Sequence, residues 1–383
     1  MLKKPTKTKQ LYFENLDALR FFCFLLVFFY HSFTTELAGI ADNQAHFFVK
    51  NEIFGNGFLG VNFFFVLSGF LITYLLIEEK KLNGRINIPN FWVRRILRIW
   101  PLYFLCIFLG FVLFPLAKTL SGSAPQETAN IWYYLAFINN FDYIKSGMPD
   151  APGLGVLWSI AIEEQFYLVW PVILAFIPLR YFWVAFTAII INSFFFRAFH
   201  DVPRIHEMHT LSCIGDMAIG AFGAWLYIMK PKFSSFIQNL PKISIVFIYL
   251  LLVLLFLFRD EWLLGNHYIR IFERALIAVA ILLVILEQCF SKHSLFKLSA
   301  LKTISKLGII TYGLYCIHFI IISATTAITK KLGINTQVWQ VLFLEPAISI
   351  TITIILAKIS FKYFEFPFLK MKDRFGYILK KTS

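Results

Sequence analysis

The sequence predicts an all-α, polytopic membrane protein: a helical bundle of about ten transmembrane helices with both termini in the cytoplasm. Three observations carry this. Hydrophobic residues make up 58% of the 383 residues and charged ones only 15%, and the mean hydropathy is +0.69, a balance foreign to soluble globular domains. The apolar residues form repeated runs near 20 residues long, the length a helix needs to cross the hydrocarbon core. A β-barrel would instead show short alternating segments. Finally, the basic residues fall in the loops between runs, as the positive-inside rule expects.

The expected spans lie at about 16–35, 57–77, 99–117, 157–177, 181–199, 211–229, 244–258, 270–289, 307–328 and 340–361. The seventh is the shortest. WYYLAFI at 132–138 is too short to span and reads as re-entrant or interfacial. With the N-terminus inside, the cytoplasmic side receives the four N-terminal lysines, the six basic residues from Lys80 to Arg98, Lys230, Lys232 and Lys242. It also receives Lys292, Lys297, Lys302, Lys306 and the lysine-rich C-terminal end, about two dozen basic residues against about nine outside. The chain then divides into a basic N-tail (1–15), a transmembrane domain (16–367) and a basic C-tail (368–383), both tails cytoplasmic. The longest outer loop, about 118–156, holds Pro125, Gly147, Pro149, Pro152 and Gly153, and long loops in compact proteins are often functional. No convincing cleavage site follows the N-terminal lysines, so the first run reads as an uncleaved span. No internal repeat of the transporter kind is visible.

The net charge of +14 does not indicate nucleic acid, because the basic residues are not gathered in one domain. Cys23, Cys106, Cys213, Cys289 and Cys316 lie in or beside apolar runs without a CxxC, so they read as buried thiols, not disulfides or metal ligands. The 46 phenylalanines suit lipid-facing and core positions.

Ionisable residues inside a span are expensive and usually mark function. The first run, LDALRFFCFLLVFFYHSF, holds Arg20 and His31, eleven residues apart. At about 100° per residue they return to nearly the same helix face, roughly 16 Å apart along the axis, so both could look into one cavity suited to a long ligand. His31 then acts as a general base at the outer mouth, with Arg20 as ligand anchor or charge partner. The alternative is that both sit at the membrane interfaces, Arg20 snorkelling. FWVRRILRIWPLYF at 91–104 enters the third span with Arg94 and Arg98 at i, i+4 and Arg95 and Arg98 at i, i+3. These form either a phosphate clamp or ordinary positive-inside anchoring on headgroups. LWSIAIEEQFYLVWP at 157–171 places Glu163 and Glu164 about two turns into an apolar helix, some 100° apart. One of them could orient His31 as a carboxylate does in a triad, or they could pair structurally with Arg20 or another base. In GVNFFFVLSGFLI at 60–72, Ser68 and Gly69 fit helix packing by default. His318 fits a satisfied core histidine, and Asp216 a buried partner for a basic residue. His200, His206 and His209 are too irregularly spaced for a metal site, and none is expected.

Together the motifs resemble the acyltransferase-3 family of membrane acyltransferases. They are the Arg-x10-His pair of Arg20 and His31, LDALR, SGFL at 68–71, the RxxR of Arg95–Arg98, and WSIAIEEQFY at 158–167. The resemblance runs in order over roughly 14–367. Ile160, Ala161 and Asn62 depart from residues frequent in the family, away from the proposed chemistry. The resemblance implies transfer of an acyl, usually acetyl, group from cytoplasmic acyl-CoA to a hydroxyl of an extracytoplasmic glycan or lipid-linked saccharide, in a bacterial plasma membrane. It implies no permanently bound cofactor. His31, Glu163 and Glu164 would be catalytic, and Arg20, Arg95 and Arg98 would hold acyl-CoA. Asp17, Ser68, Gly69, Trp158 and Ser159 would support the cavity, Ser159 also as an oxyanion donor. His31 would either deprotonate the acceptor or itself carry the acyl group. Some relatives carry a fused extracytoplasmic hydrolase-like domain that this sequence lacks, so it is expected to act alone at the membrane or with a separate partner of that kind. The competing class is a transporter or flippase for a lipid-linked sugar, which would show no transferase chemistry. A membrane O-acyltransferase of the unrelated Asn/His type ranks last, for want of a suitable pair.

Overall fold

The computed structural model describes residues 13–376, and these form helices and connecting segments with no strand among them. The long elements are α1 (Glu14–His31), α2 (Leu59–Asn83), α3 (Ile88–Phe108), α4 (Trp158–Phe176), α5 (Phe182–Phe199) and α6 (Thr210–Met229). They continue with α7 (Lys242–Leu257), α8 (His267–Phe290), the short α9 (Lys302–Ile309), α10 (Thr311–Leu332), α11 (Glu345–Ser360) and the short α12 (Phe366–Lys372). A helix coincides with each of the ten expected runs, with shifted ends. α3 begins at Ile88 and runs on to Leu120, 33 residues, because Asn87 caps it, accepting from the Asn90 N–H at 3.1 Å.

Among the described residues, seven helices are long and apolar enough to cross a membrane. An eighth joins them if Pro231–Gln238 and α7, bent by 90°, count as one span. α1 and α8 are not among the seven, since α1 carries Glu14, Asp17 and Arg20, and α8 carries Arg270, Glu273, Arg274 and Glu287. Protein, not lipid, surrounds most of those charges. Asp17, Glu273, Arg274 and Glu287 are all buried. WYYLAFI forms a five-residue helix, Ile131–Leu135, followed by Phe137 at φ +55°. It packs on α3, with the Tyr103 hydroxyl donating to the Tyr134 carbonyl at 2.8 Å.

α2 and α6 pack most closely. A Cβ on Gly69 would sit 2.0 Å from the Met217 carbonyl oxygen, and one on Gly220 would sit 2.0 Å from that of Val66. Only glycine at both positions lets the two backbones touch. Beside this pair lies a buried ionic cluster. Glu273 takes Arg259 at 2.6 Å and Arg197 at 2.9 Å, and Asp216 takes Arg274 at 2.5 Å. Asp216 thus has the basic partner the sequence suggested, and pairing removes most of the penalty of burying these charges.

The lysine-rich segment after residue 367 begins as α12, which packs against α3. Leu369 and Lys372 on it line the main cavity. Of the N-tail, residues 1–12 lie outside the described residues. Phe13 packs edge-on to Tyr74 and Phe290 at 5.4 and 5.7 Å.

Candidate active site

α1 fixes the two residues that open the site. Arg20 bonds Asp17, one turn earlier, at 2.5 Å. At the other end the helix stops abruptly after His31. Ser32 turns extended and its hydroxyl donates to the Phe28 carbonyl at 2.8 Å. Phe33 takes φ +64°, a conformation a bulky residue rarely adopts. A ring nitrogen of the buried His46 holds the Phe33 carbonyl at 2.9 Å. Strain retained this close to an ionisable residue is a mark of function.

A cavity of about 550 Å³ opens among α1, α2, α3, α4, α10 and α12. One end is charged: Asp17, Arg20, Arg95, Arg98, Glu365 and Lys372. The wall carries Ser68, Glu163 and Tyr167, and the far end Val61, Phe64, Ser159 and Tyr315. The α3 arginines divide between two jobs. Arg94 turns away, bonding the Phe375 carbonyl at 2.7 Å and Glu79 at 3.4 Å. The Arg95 guanidinium lies 5.6 Å from the ring centroids of both Phe91 and Tyr167, a cation–π seat. Its Nε is buried without a partner among the described residues.

The carboxylates do not go where the sequence suggested. The Ser68 hydroxyl donates to Glu163 at 2.8 Å and the Tyr167 hydroxyl at 2.9 Å. Glu164 accepts from Trp100 Nε1 at 2.8 Å, and its Oε1 is buried with no partner among the described residues. Neither bonds His31, which corrects the expectation of a carboxylate–histidine pair. The 100° between them sends Glu163 towards α2 and Glu164 towards α3. Ser159 lines the cavity and shares a 2.7 Å hydrogen bond with the Tyr315 hydroxyl. Gly69 and Trp158 do not line it: Gly69 serves the α2–α6 contact, and Trp158 packs on Phe65 at 6.3 Å.

Arg20 and His31 do not share the cavity either. His31 is absent from its lining and stays partly exposed beyond it. Its ring packs on Phe319 at 4.6 Å and on His318 at 5.4 Å. His318 is wholly buried. Its Nδ1 meets the Tyr315 carbonyl at 2.6 Å, so that nitrogen carries the hydrogen, and Nε2 keeps a lone pair with no partner among the described residues. The Tyr315 ring stands 5.6 Å from His318 and faces the cavity. A file of Ser159, Tyr315, His318 and His31 therefore crosses from the cavity to the other face. Sequence reasoning placed His318 in the core without its role. The one signal was a histidine in the middle of an apolar span. Among the described residues, no group of His, Cys, Asp or Glu could hold a metal ion.

The candidate site is thus a cavity among membrane helices with a basic end and a Glu163 wall, and a histidine pair packed behind Tyr315 outside its lining. The family model described as an acyltransferase domain matches residues 13–359, and the chain belongs to this acyltransferase-3 family. It is similar to the O-acetyltransferase OatA of Staphylococcus aureus, 28% identical over 97% of this chain and 60% of that protein. It is also similar to the peptidoglycan O-acetyltransferase OatA of Listeria monocytogenes, 26% identical over 96% of this chain and 58% of that protein. The chain thus spans little more than half the length of these relatives. No solved structure matches it. Family and apolar helices together make it an integral membrane protein of bacterial type.

Proposed function

We propose that the chain moves an acyl group, acetyl by analogy with its relatives, from cytoplasmic acyl-CoA to a hydroxyl of an extracytoplasmic glycan. The relatives' names point to peptidoglycan or a related saccharide as acceptor. The observation that carries the reading is the cavity itself, basic at one end and lined at the other by Tyr315, behind which the two histidines pack. Its volume falls in the range of small-molecule sites, about 300–1,000 Å³. Arg95 and Arg98, with Lys372, meet the coenzyme A phosphates, and the free Nε of Arg95 supplies an unused donor. The pantetheine arm passes Arg20 and the Glu163 wall, and the thioester reaches Ser159 and Tyr315. Their hydroxyls bond each other at 2.7 Å and share the Val156 carbonyl, and the one that turns from that carbonyl donates to the developing oxyanion.

His31 takes the proton of the acceptor hydroxyl as its oxygen attacks the thioester carbonyl, and the proton ends on the departing coenzyme A thiolate. His318 is a positioning residue: its ring backs that of His31, and its free Nε2 can accept the proton that imidazole passes on. The arginine end is cytoplasmic in this reading, as the lysine distribution requires.

The test is His31→Ala, with acceptor acetylation read by mass spectrometry and acetyl-CoA binding read on the purified protein. Acetylation should fall by roughly 10²–10⁴-fold, the usual range for a lost general base, while donor binding survives. Near-normal acetylation by a well-inserted variant would remove His31 from the mechanism.

A further inference from the structure

A second polar cluster stands outside the cavity, on the face where α1 ends. Tyr30 is 41% exposed, with its ring 5.1 Å from His31 and 5.6 Å from Phe58. Arg259 lies 4.7 Å over the Phe58 ring, fixed by Glu273 at 2.6 Å and by the Asn56 side-chain oxygen at 3.4 Å. Glu207, on the short helix Pro203–Met208, stands 3.9 Å from the Arg259 guanidinium. That is beyond hydrogen-bonding distance, so its oxygens remain available as acceptors. The short helix Asn139–Ser146, which carries the half-buried Tyr143, packs against the helix that carries Arg204 and Glu207.

The donor cavity uses none of these groups. Their charges nearly cancel: Arg259 and Arg204 stand against Glu207, Glu273 and the exposed Asp260. An anionic ligand would meet Glu207 and also Asp260, which is 3.6 Å from Arg259. A cationic one would meet two arginines. An exposed aromatic ring beside paired donors and acceptors suits a neutral sugar, whose C–H face stacks on the ring while its hydroxyls bond the polar rim.

We propose that Tyr30, Tyr143 and Glu207 form the acceptor platform, which seats a neutral pyranose ring and presents one hydroxyl to His31. This rests on the acyl-transfer reading for its purpose, but not for its binding test. The probe is N,N′,N″-triacetylchitotriose, titrated against the full chain in nanodiscs without any donor, with binding followed by saturation-transfer NMR. The wild-type protein should bind it. Tyr30→Ala and Glu207→Gln should each raise Kd about tenfold or more, the scale of a lost stacking contact or charged hydrogen bond, and Tyr30→Trp should retain binding. Unchanged melting temperature and acetyl-CoA binding show that the variants are folded. No binding by the wild-type protein, or equal Kd in the variants, overturns the platform. Binding with the expected variant pattern but without acetyl transfer would leave the platform standing and sink the transfer reading. Transfer to the trimer with unchanged acceptor KM in both variants would do the reverse.

Discussion

Arg95→Ala is the sharpest probe of the donor end. The Arg95 guanidinium is held between the rings of Phe91 and Tyr167, 5.6 Å from each centroid, with Nε unbonded. The side chain is therefore already ordered and partly desolvated before a ligand arrives, so little is lost in fixing it. A hydrogen bond to a charged group in such a setting is worth about 1.5–3 kcal/mol. Removing it should raise the acyl-CoA Kd and apparent KM by roughly 10- to 150-fold. The kcat should change far less, since the histidine pair lies at the opposite end of the cavity. Arg95→Lys keeps the charge but loses the planar fork, and should fall between wild type and alanine. Isothermal titration of purified protein with acetyl-CoA gives Kd, and thiol release gives KM and kcat. If Arg95→Ala lowers kcat at unchanged Kd, the arginine serves Glu163 or Glu164 and not the donor.

Three other outcomes follow from the structure. Gly69→Ala should destabilise the protein by about 1–3 kcal/mol or more through overpacking, because the new Cβ meets the Met217 carbonyl at 2.0 Å. Thermal unfolding in detergent reads this, with Gly39→Ala, which meets nothing within 4 Å, as the control. Asp201, in the segment between α5 and α6, is pushed up by what burial it has, but the His267 ring N–H and Arg270 hold it net below the usual carboxylate range. Its stabilisation is therefore complete above the ordinary carboxylate pKa and is lost as pH falls through the depressed value. Asp201→Asn should lower the melting temperature at pH 7 and should converge with wild type near the acid end of the titration. For topology, a cysteine at Arg85 should resist a membrane-impermeant maleimide added from outside, while one at Lys145 should react. Outside labelling at 85 would invert the scheme.

Most of the helices were legible because their runs satisfy a length and hydropathy condition on their own, and α1 and α8 because their runs stay apolar between the charges. Within one helix the spacing was only half a guide: it put Arg98 on a face with either Arg94 at i, i+4 or Arg95 at i, i+3, and it is Arg95 that shares the cavity while Arg94 turns away. What the sequence could not show was which helices face each other. His31 and His318 are 287 residues apart, and nothing local to either names the other. Glu163 and Glu164 were visible as costly residues, but their partners, Ser68 and Trp100, come from two other helices. Helical period fixes direction around an axis and says nothing of the neighbour met there. The apolarity that marked most spans also hid the α12 segment, whose lysines read as a tail although Leu369 and Lys372 line the cavity.

The rings between Tyr315 and His31 have a consequence for the membrane itself. Phe64 and Tyr315 line the cavity but neither histidine does, and His318 is wholly buried among Phe24, Phe28 and Tyr315. Such an arrangement is a partition and not a conduit. For the proposed attack the acceptor oxygen and the thioester carbonyl must come within about 3–3.5 Å, so the Tyr315 ring has to turn aside locally while the coenzyme A carrier stays on its own side. In the proposed reaction the thioester bond, rather than a gradient, supplies the driving force.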